Sequence, residues 1–242
     1  MPTAAGESAA HRLLKRAALH WAREQGYRAI GLEVRVPQSP YRADVAACRL
    51  DRPVPHQPEI GLSAVFEIKQ SRPDYLHDSR PEAANLTRLA DLHRRRERLE
   101  RLVGVHYPHL RRGDSLFPEY DAADVAAVGH EGYRRVVAEI RRLESAVHGR
   151  TKFARLVRYR CADLFYLVVR PGIVDPAEVP LDWGLLTTEI DHLDPPGETP
   201  GVPALRLIRQ PRLIDAAPAQ RLELLHRIAA SGTSRLLRDA GG

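Results

Sequence analysis

Apolar residues near the start of the chain fall at Leu13, Leu14, Ala17, Ala18 and Trp21, the three-and-four spacing of one helix face. That spacing predicts a helix over 8–25, with Ser8 as its N-cap and Gly26 as its stop. The pattern then turns β-like. Arg28 to Val36 (RAIGLEVRV), Tyr41 to Leu50 (YRADVAACRL) and Leu62 to Lys69 (LSAVFEIK) read as three strands. Pro37 closes the first. The stretch DRPVPHQPEIG, with three prolines and a glycine, predicts a turn between the second and third. The chain therefore opens as a helix followed by an antiparallel meander.

Ser71-Arg72-Pro73-Asp74 has the marks of a helix start: Ser as cap, Pro in the first turn, Asp at the positive end of the helix dipole. Beyond Pro81 the texture is helical. Leu86, Leu89, Leu92, Leu99 and Leu102 form one stripe over 85–103, and Tyr133, Val136, Val137, Ile140, Leu143 and Val147 form another over 131–148. Residues 82–150 thus read as mostly a helical hairpin. Leu164 to Val169 (LFYLVV) is apolar throughout, as a strand buried on both faces is. Leu185 to Ile190 and Leu205 to Arg209 read as edge strands. Residues 214–239 read as one or two closing helices.

The 242 residues suffice for one domain with an insertion or for two small domains. A content of 43% apolar and 28% charged residues is that of a globular protein. The net charge of +6 favours a polyanionic partner such as nucleic acid. Nearly all the positive charge is Arg; lysine stands only at Lys15, Lys69 and Lys152, so each lysine draws notice. Cys48 and Cys161 sit in apolar settings and read as reduced, buried thiols of a cytosolic protein. The N-terminal stretch lacks an apolar signal core, and no run approaches the ~18 apolar residues of a membrane span. A cytoplasmic protein with no membrane partner is expected. The histidines are scattered without an HEXXH pattern, which argues against a zinc hydrolase.

Side chains alternate along a strand, so in VFEIK Glu67 and Lys69 face one way while Phe66 and Ile68 face the other. Asp44 precedes Glu67 by 23 residues, a spacing that suits two neighbouring strands joined by a loop. Two convergent carboxylates repel unless a cation sits between them, and Mg²⁺ is held by one or two carboxylates with phosphate and waters. Such a metal activates water and neutralises charge on a scissile phosphate. Asp44 and Glu67 are therefore the expected metal ligands, and Lys69 the catalytic cation.

A helix, a strand with Glu33, a strand with Arg42-Ala43-Asp44 and a strand with Glu67-Ile68-Lys69 follow one another. Gln70-Ser71-Arg72-Pro73-Asp74-Tyr75 and Asp78 come next. This arrangement resembles the PD-(D/E)XK nuclease superfamily. More narrowly it is similar to MmcB-like DNA-repair-associated proteins and their phage or mobile-element relatives, whose E-[IV]-K-x-S-x-x-D-[FY]-x-x-D pattern reappears as EIKQSRPDYLHD. Cys161-Ala162-Asp163-Leu164-Phe165-Tyr166, Pro171-Gly172-Ile173-Val174 and Pro180 to Leu186 match later parts of that pattern more loosely. The resemblance covers about 1–81 and 151–240 and leaves 82–150 as an insertion within one domain spanning 1–242.

The resemblance implies an α/β fold with a restriction-endonuclease-like core, a central mixed sheet flanked by helices, and a helical-hairpin insertion. It implies hydrolysis of DNA phosphodiester bonds in DNA repair or mobile-element processing, with Mg²⁺ or Mn²⁺ as cofactor. Glu33 becomes the first acid, beside Asp44 and Glu67 at the metal. Arg42, Gln70, Ser71, Arg72 and Lys152 become the substrate contacts. Relatives carry a Lys-Trp pair soon after the D-x-x-D turn; here Lys152-Phe153, beyond the insertion, stands in that place.

Other readings stand beside these. An E-x-K triplet also arises as a paired surface charge, and Glu24 is the rival to Glu33. Ser71 and Asp74 serve equally as helix-start residues, and Asp74 and Asp78 share a helix face. The Arg-rich stretch 94–101 either tracks phosphates or is a solvated face laced with Glu97 and Glu100. The whole chain could be a binding module without catalysis, and the insertion an arm for a homodimer or a protein partner.

Overall fold

The computed structural model describes residues 8–54, 57–77, 83–106, 111–112, 122–123, 131–148, 152–188 and 201–240. Helix α1 (Ala9–Glu24) begins where the Ser8 hydroxyl accepts the His11 N–H at 3.1 Å. It ends ahead of Gly26, whose φ of 86° suits glycine. Three antiparallel strands follow: β1 (Ala29–Arg35), β2 (Arg42–Val54) and β3 (Gln57–Lys69). The turn expected over DRPVPHQPEIG is mostly strand, because β2 runs to Val54 and β3 begins at Gln57. The pairing slips between Cys48 and Leu50 and again between Asp51 and Val54. Such irregularities let a hairpin carry prolines that donate no ladder hydrogen bond.

After the short helix α2 (Arg72–His77) come α3 (Ala83–His106), the two-residue strands β4 (Arg111–Arg112) and β5 (Ala122–Ala123), α4 (Glu131–His148) and α5 (Lys152–Arg158). The chain then returns to the sheet with β6 (Leu164–Val169), β7 (Trp183–Thr188) and β8 (Leu205–Arg209), and closes on one helix, α6 (Pro218–Ala240). The strand order is β1-β2-β3-β6-β7-β8. β6 lies parallel to β3 and to β7, and β8 is antiparallel. The fold is thus α/β with a six-stranded mixed sheet flanked by helices. β7, expected at an edge, is internal, and β1 and β8 are the edges.

Each face of the sheet has its own core. Leu14, Ala18, Trp21 and Ala22 of α1 cover Val45, Phe66, Ile68, Tyr166 and Val168, with Phe66 and Tyr166 stacked at 5.1 Å. On the other face Phe153 and Leu156 of α5 and Leu224 and Ile228 of α6 pack against Val65, Phe165, Leu167 and Trp183. α6 approaches β1 so closely that a Cβ on Gly31 would lie 3.2 Å from the Ile228 side chain. Cys48 and Cys161 are buried free thiols, and burial pushes both up to about 12.

The helices of the insertion share a third core of Leu89, Leu92, Tyr133, Val136, Val137, Ile140 and Leu143, completed by Leu181 from the α/β body. Leu102 stays exposed, so the expected leucine stripe is not buried to its end. Within the Arg-rich stretch, Arg96 turns inward and donates to the Leu181 carbonyl at 2.7 Å. Arg209 of β8 donates to the same carbonyl at 3.2 Å and meets His93 Nδ1 at 3.1 Å. These bonds fasten the hairpin to the body. Among the described residues, no helix is long and apolar enough to cross a membrane.

Candidate active site

The site lies where β1, β2 and β3 end side by side. The pairs Leu32↔Val45 and Val34↔Ala43 set Glu33 opposite Asp44, and Val45↔Phe66 sets Asp44 beside Glu67. Three acids therefore stand abreast on three adjacent strands. Phe66 and Ile68 enter the α1-side core, as the alternation predicts, while Glu67 and Lys69 face the other way.

Asp44 sits in the gap where β2 and β3 part. Its Oδ2 accepts the Ile68 N–H at 2.8 Å, standing in for a carbonyl of the missing ladder. Its Oδ1 lies 3.2 Å from His11 Nε2 and 3.4 Å from Lys15 Nζ, both from α1. Burial raises the proton affinity of this carboxyl. The His11 and Ile68 hydrogen bonds and the charges of His11 and Lys15 together outweigh it and hold the group below its ordinary range.

Glu67 is almost fully buried, and Lys152 Nζ donates to both its oxygens, at 2.6 and 2.7 Å. Lys152 also donates to the Arg42 carbonyl at 2.9 Å, which ties the start of α5 to β2. Burial, and then the negative charge of Asp44, push Glu67 up to about 7 against the pull of Lys152 and Lys69. Lys69 Nζ bridges Glu67 at 3.8 Å and Asp74 at 3.6 Å, above the ring of Phe153. Asp74 also accepts the Gln70 N–H at 3.2 Å and so steadies the turn that follows the lysine.

Glu33 reaches the cluster differently. Its backbone takes φ 52°, a left-handed value that costs a side-chain-bearing residue strain. The strand flips there: Ile30 and Leu32 pack on the α1 side, Val34 and Val36 on the α6 side. Simple alternation along RAIGLEVRV would put Leu32 on the same face as Val34 and Val36. Glu33 is half-exposed; it pairs with Lys15 and lies 3.9 Å from Arg42 Nη1.

Of the expected substrate contacts, Lys152 and Arg42 join the cluster, Lys152 through Glu67 itself. Gln70 accepts from the Ser8 hydroxyl at its rim. Ser71 caps α2, accepting the Asp74 N–H at 3.3 Å. Arg72 is drawn away: it grips Glu178, one contact at 2.6 Å, and donates to the Ile173 carbonyl at 3.2 Å. Asp78 lies outside the described residues. Two site residues escaped the sequence reading, His11 and Lys15. Their signal was present: they are four apart on α1, hence on one face, and Lys15 is one of the chain's few lysines. Lys15, Lys69 and Lys152 are all the lysines of the chain, and every one contacts this cluster.

Asp44 and Glu67 offer a hard dication the oxygen donors it favours, and the field of one is felt by the other. Glu33, Asp44 and Glu67 do not gather as a three-acid metal group. Among the described residues, no group of three His, Cys, Asp or Glu side chains is placed to hold a metal. A dication here would draw on Asp44 and Glu67, with its remaining positions left to water and phosphate.

No family model matches the chain, and no curated protein matches it. Among solved structures, the chain is similar to a protein of unknown function from Silicibacter pomeroyi. The TM-score is 0.47 and the identity 18%, over 98% of this chain and 96% of that one.

Proposed function

We propose that this protein is a metal-dependent nuclease of the PD-(D/E)XK kind, with a restriction-endonuclease-like core, that hydrolyses DNA phosphodiester bonds in DNA repair or mobile-element processing. The observation that carries this reading is the gathering of all three lysines of an arginine-rich chain around Glu33, Asp44, Glu67 and Asp74. Lysine is a compact, mobile point charge, whereas arginine is a rigid fork. A structural role would not select lysine each time in a chain otherwise built with Arg.

Asp44 and Glu67 would hold Mg²⁺ or Mn²⁺, which supplies a water of lowered pKa and a counter-charge for the phosphate. Lys69, fixed by Glu67 and Asp74, stabilises the extra negative charge at phosphorus. The water oxygen bonds to phosphorus and one P–O ester bond breaks, leaving a phosphate monoester on one fragment and a hydroxyl on the other. Lys15 and His11 hold the Asp44 carboxylate in its ionised form.

The test is cleavage of duplex and single-stranded DNA in Mg²⁺ or Mn²⁺ against EDTA. Asp44→Ala and Lys69→Ala should each lose at least ~10²-fold in rate, the scale of removing one preorganised charge-stabilising group. If both variants cleave like the wild type, the assignment fails. A second reading, a nucleic-acid-binding module without catalysis, is favoured by one observation: Lys152 already neutralises both oxygens of Glu67. Calorimetric titration with Mg²⁺ separates the two, since a binder of that kind takes up no metal at Asp44 and Glu67.

A further inference from the structure

Beside the carboxylate cluster, at the outer edge of β1, a groove of about 620 Å³ opens between α1 and the C-terminal half of α6. Lys15, Glu33 and Arg42 belong to both the groove and the cluster. Arg12 and Arg16 line it from α1, Arg35 from β1, and Arg227, Arg235 and Arg238 from α6. Its lining acids are Glu33 and Asp239. Arg16, Arg35, Arg235 and Arg238 are exposed and make no ion pair among the described residues. Like charges crowded without counter-ions repel one another, and a polyanion relieves that repulsion.

We propose that this groove is the track for the phosphodiester backbone of the DNA that enters the cluster, with α6 as its clamp. The α6 stripe runs Arg227, Ser231, Ser234, Arg235, Arg238, a spacing that keeps all five on one helix face. From Arg227 to Arg238 it spans about 16 Å of helix axis, the rise of roughly five base pairs at 3.4 Å each. That is the reach of a chain of phosphates, not of a single anion. Small side chains keep the floor open. Ser231 donates to the Leu32 carbonyl at 2.7 Å, pinning the basic stripe to the strand that bears Glu33. The exposed Leu236 and Leu237 point away from the stripe.

The proposal deepens the nuclease reading and rests on it for the direction in which the strand runs; binding is tested without cleavage. Anisotropy of a fluorescein-labelled duplex oligonucleotide is followed in EDTA over a range of KCl concentrations. Arg235→Glu/Arg238→Glu changes two exposed side chains, and circular dichroism checks that its fold is kept. It should bind at least ~10-fold more weakly, and the slope of log affinity against log salt should flatten by about 2. Unchanged affinity and slope in the double variant overturn the proposal, even if cleavage stands. Phosphatidylserine vesicles that bind the wild type and displace the duplex overturn it too. A wild type that binds through these arginines but never cleaves supports the groove and sinks the nuclease reading.

Discussion

Strand β3 carries two ion-pair sites, one at its middle and one at its C-terminal end, built in opposite ways. Ser63 and Glu67 are four residues apart, about 13 Å along the strand. At Ser63, fully buried Asp163 accepts from Ser63 N–H at 2.8 Å, the Ser63 hydroxyl at 2.7 Å and Ala216 N–H at 2.8 Å. Arg221 of α6 forks onto it at 2.7 and 3.0 Å. Every lone pair is engaged and the cation is an arginine. At the Glu67 end the cations are lysines, contacts run from 2.6 to 3.8 Å, and a second carboxylate presses on the first. The first arrangement closes β3, the start of β6 and α6 into one unit. The second holds charge in a form that can be exchanged. On the nuclease reading, arginine serves where the charge only has to stay, and lysine where metal and substrate have to come and go.

The comparison breaks first on stability. Asp163→Ala strands Arg221 and the Ser63 groups, and should cost roughly 3–5 kcal/mol in urea denaturation, with cleavage per folded molecule unchanged. Asp44→Ala should do the reverse: a cleavage loss of at least ~10²-fold for a smaller stability cost of about 1–3 kcal/mol, that of the orphaned Ile68 N–H. If both acids fail in the same way, the two sites are not different in kind.

Swapping the cations sharpens the point. Arg221→Lys loses the fork and should cost about 1.5–3 kcal/mol by thermal melts, with no effect on catalysis. Lys69→Arg should leave stability nearly untouched while cleavage falls, because a guanidinium held by Glu67 and Asp74 spreads over a plane the charge that Lys69 carries at one atom. An active Lys69→Arg enzyme would remove the reason for reading lysine as selected.

The smallest effect is one of pH. Glu67 titrates near its ordinary 4.5 when unfolded and at about 7 when folded. The folded state therefore binds its proton more tightly, and the favourable contribution present below pH 4.5 is lost as pH rises to about 7. Glu67→Gln escapes that loss. In metal-free buffer the melting temperature of the variant relative to wild type should climb between pH 4.5 and 7 and then level. Asp44 runs the other way: held below its ordinary 3.8, it stabilises above that value and weakens the fold as pH falls through the acid range. A flat difference curve for Glu67→Gln would show that burial is not what governs this carboxyl.

Much of this layout could be read in the sequence, and the exceptions have physical causes. Helix spacing marked α1, α3 and α4, and the alternation in VFEIK marked which way Glu67 points, because both depend on local periodicity. Pro53 and Pro58 of DRPVPHQPEIG misled, because they fall where the β2–β3 pairing slips. Alternation fails at Leu32 because a left-handed residue at Glu33 reverses it, and periodicity carries no sign of such a kink. His11 and Lys15 belong to the site through the packing of α1 across the sheet, a tertiary fact. Arg72 looked free for substrate and is claimed by Glu178, more than a hundred residues away.

The way Asp44 is bonded has a consequence for the order in which the site comes together. Its link to Ile68 spans 24 residues and forms as the β2–β3 hairpin closes. Lys152 must be brought to Glu67 across 85 residues, past the whole helical hairpin. Short-range pairings close at lower entropic cost and sooner than distant ones. The paired carboxylates are thus set early, by the same hydrogen bonding that registers the strands, and the last lysine arrives as a late step of folding.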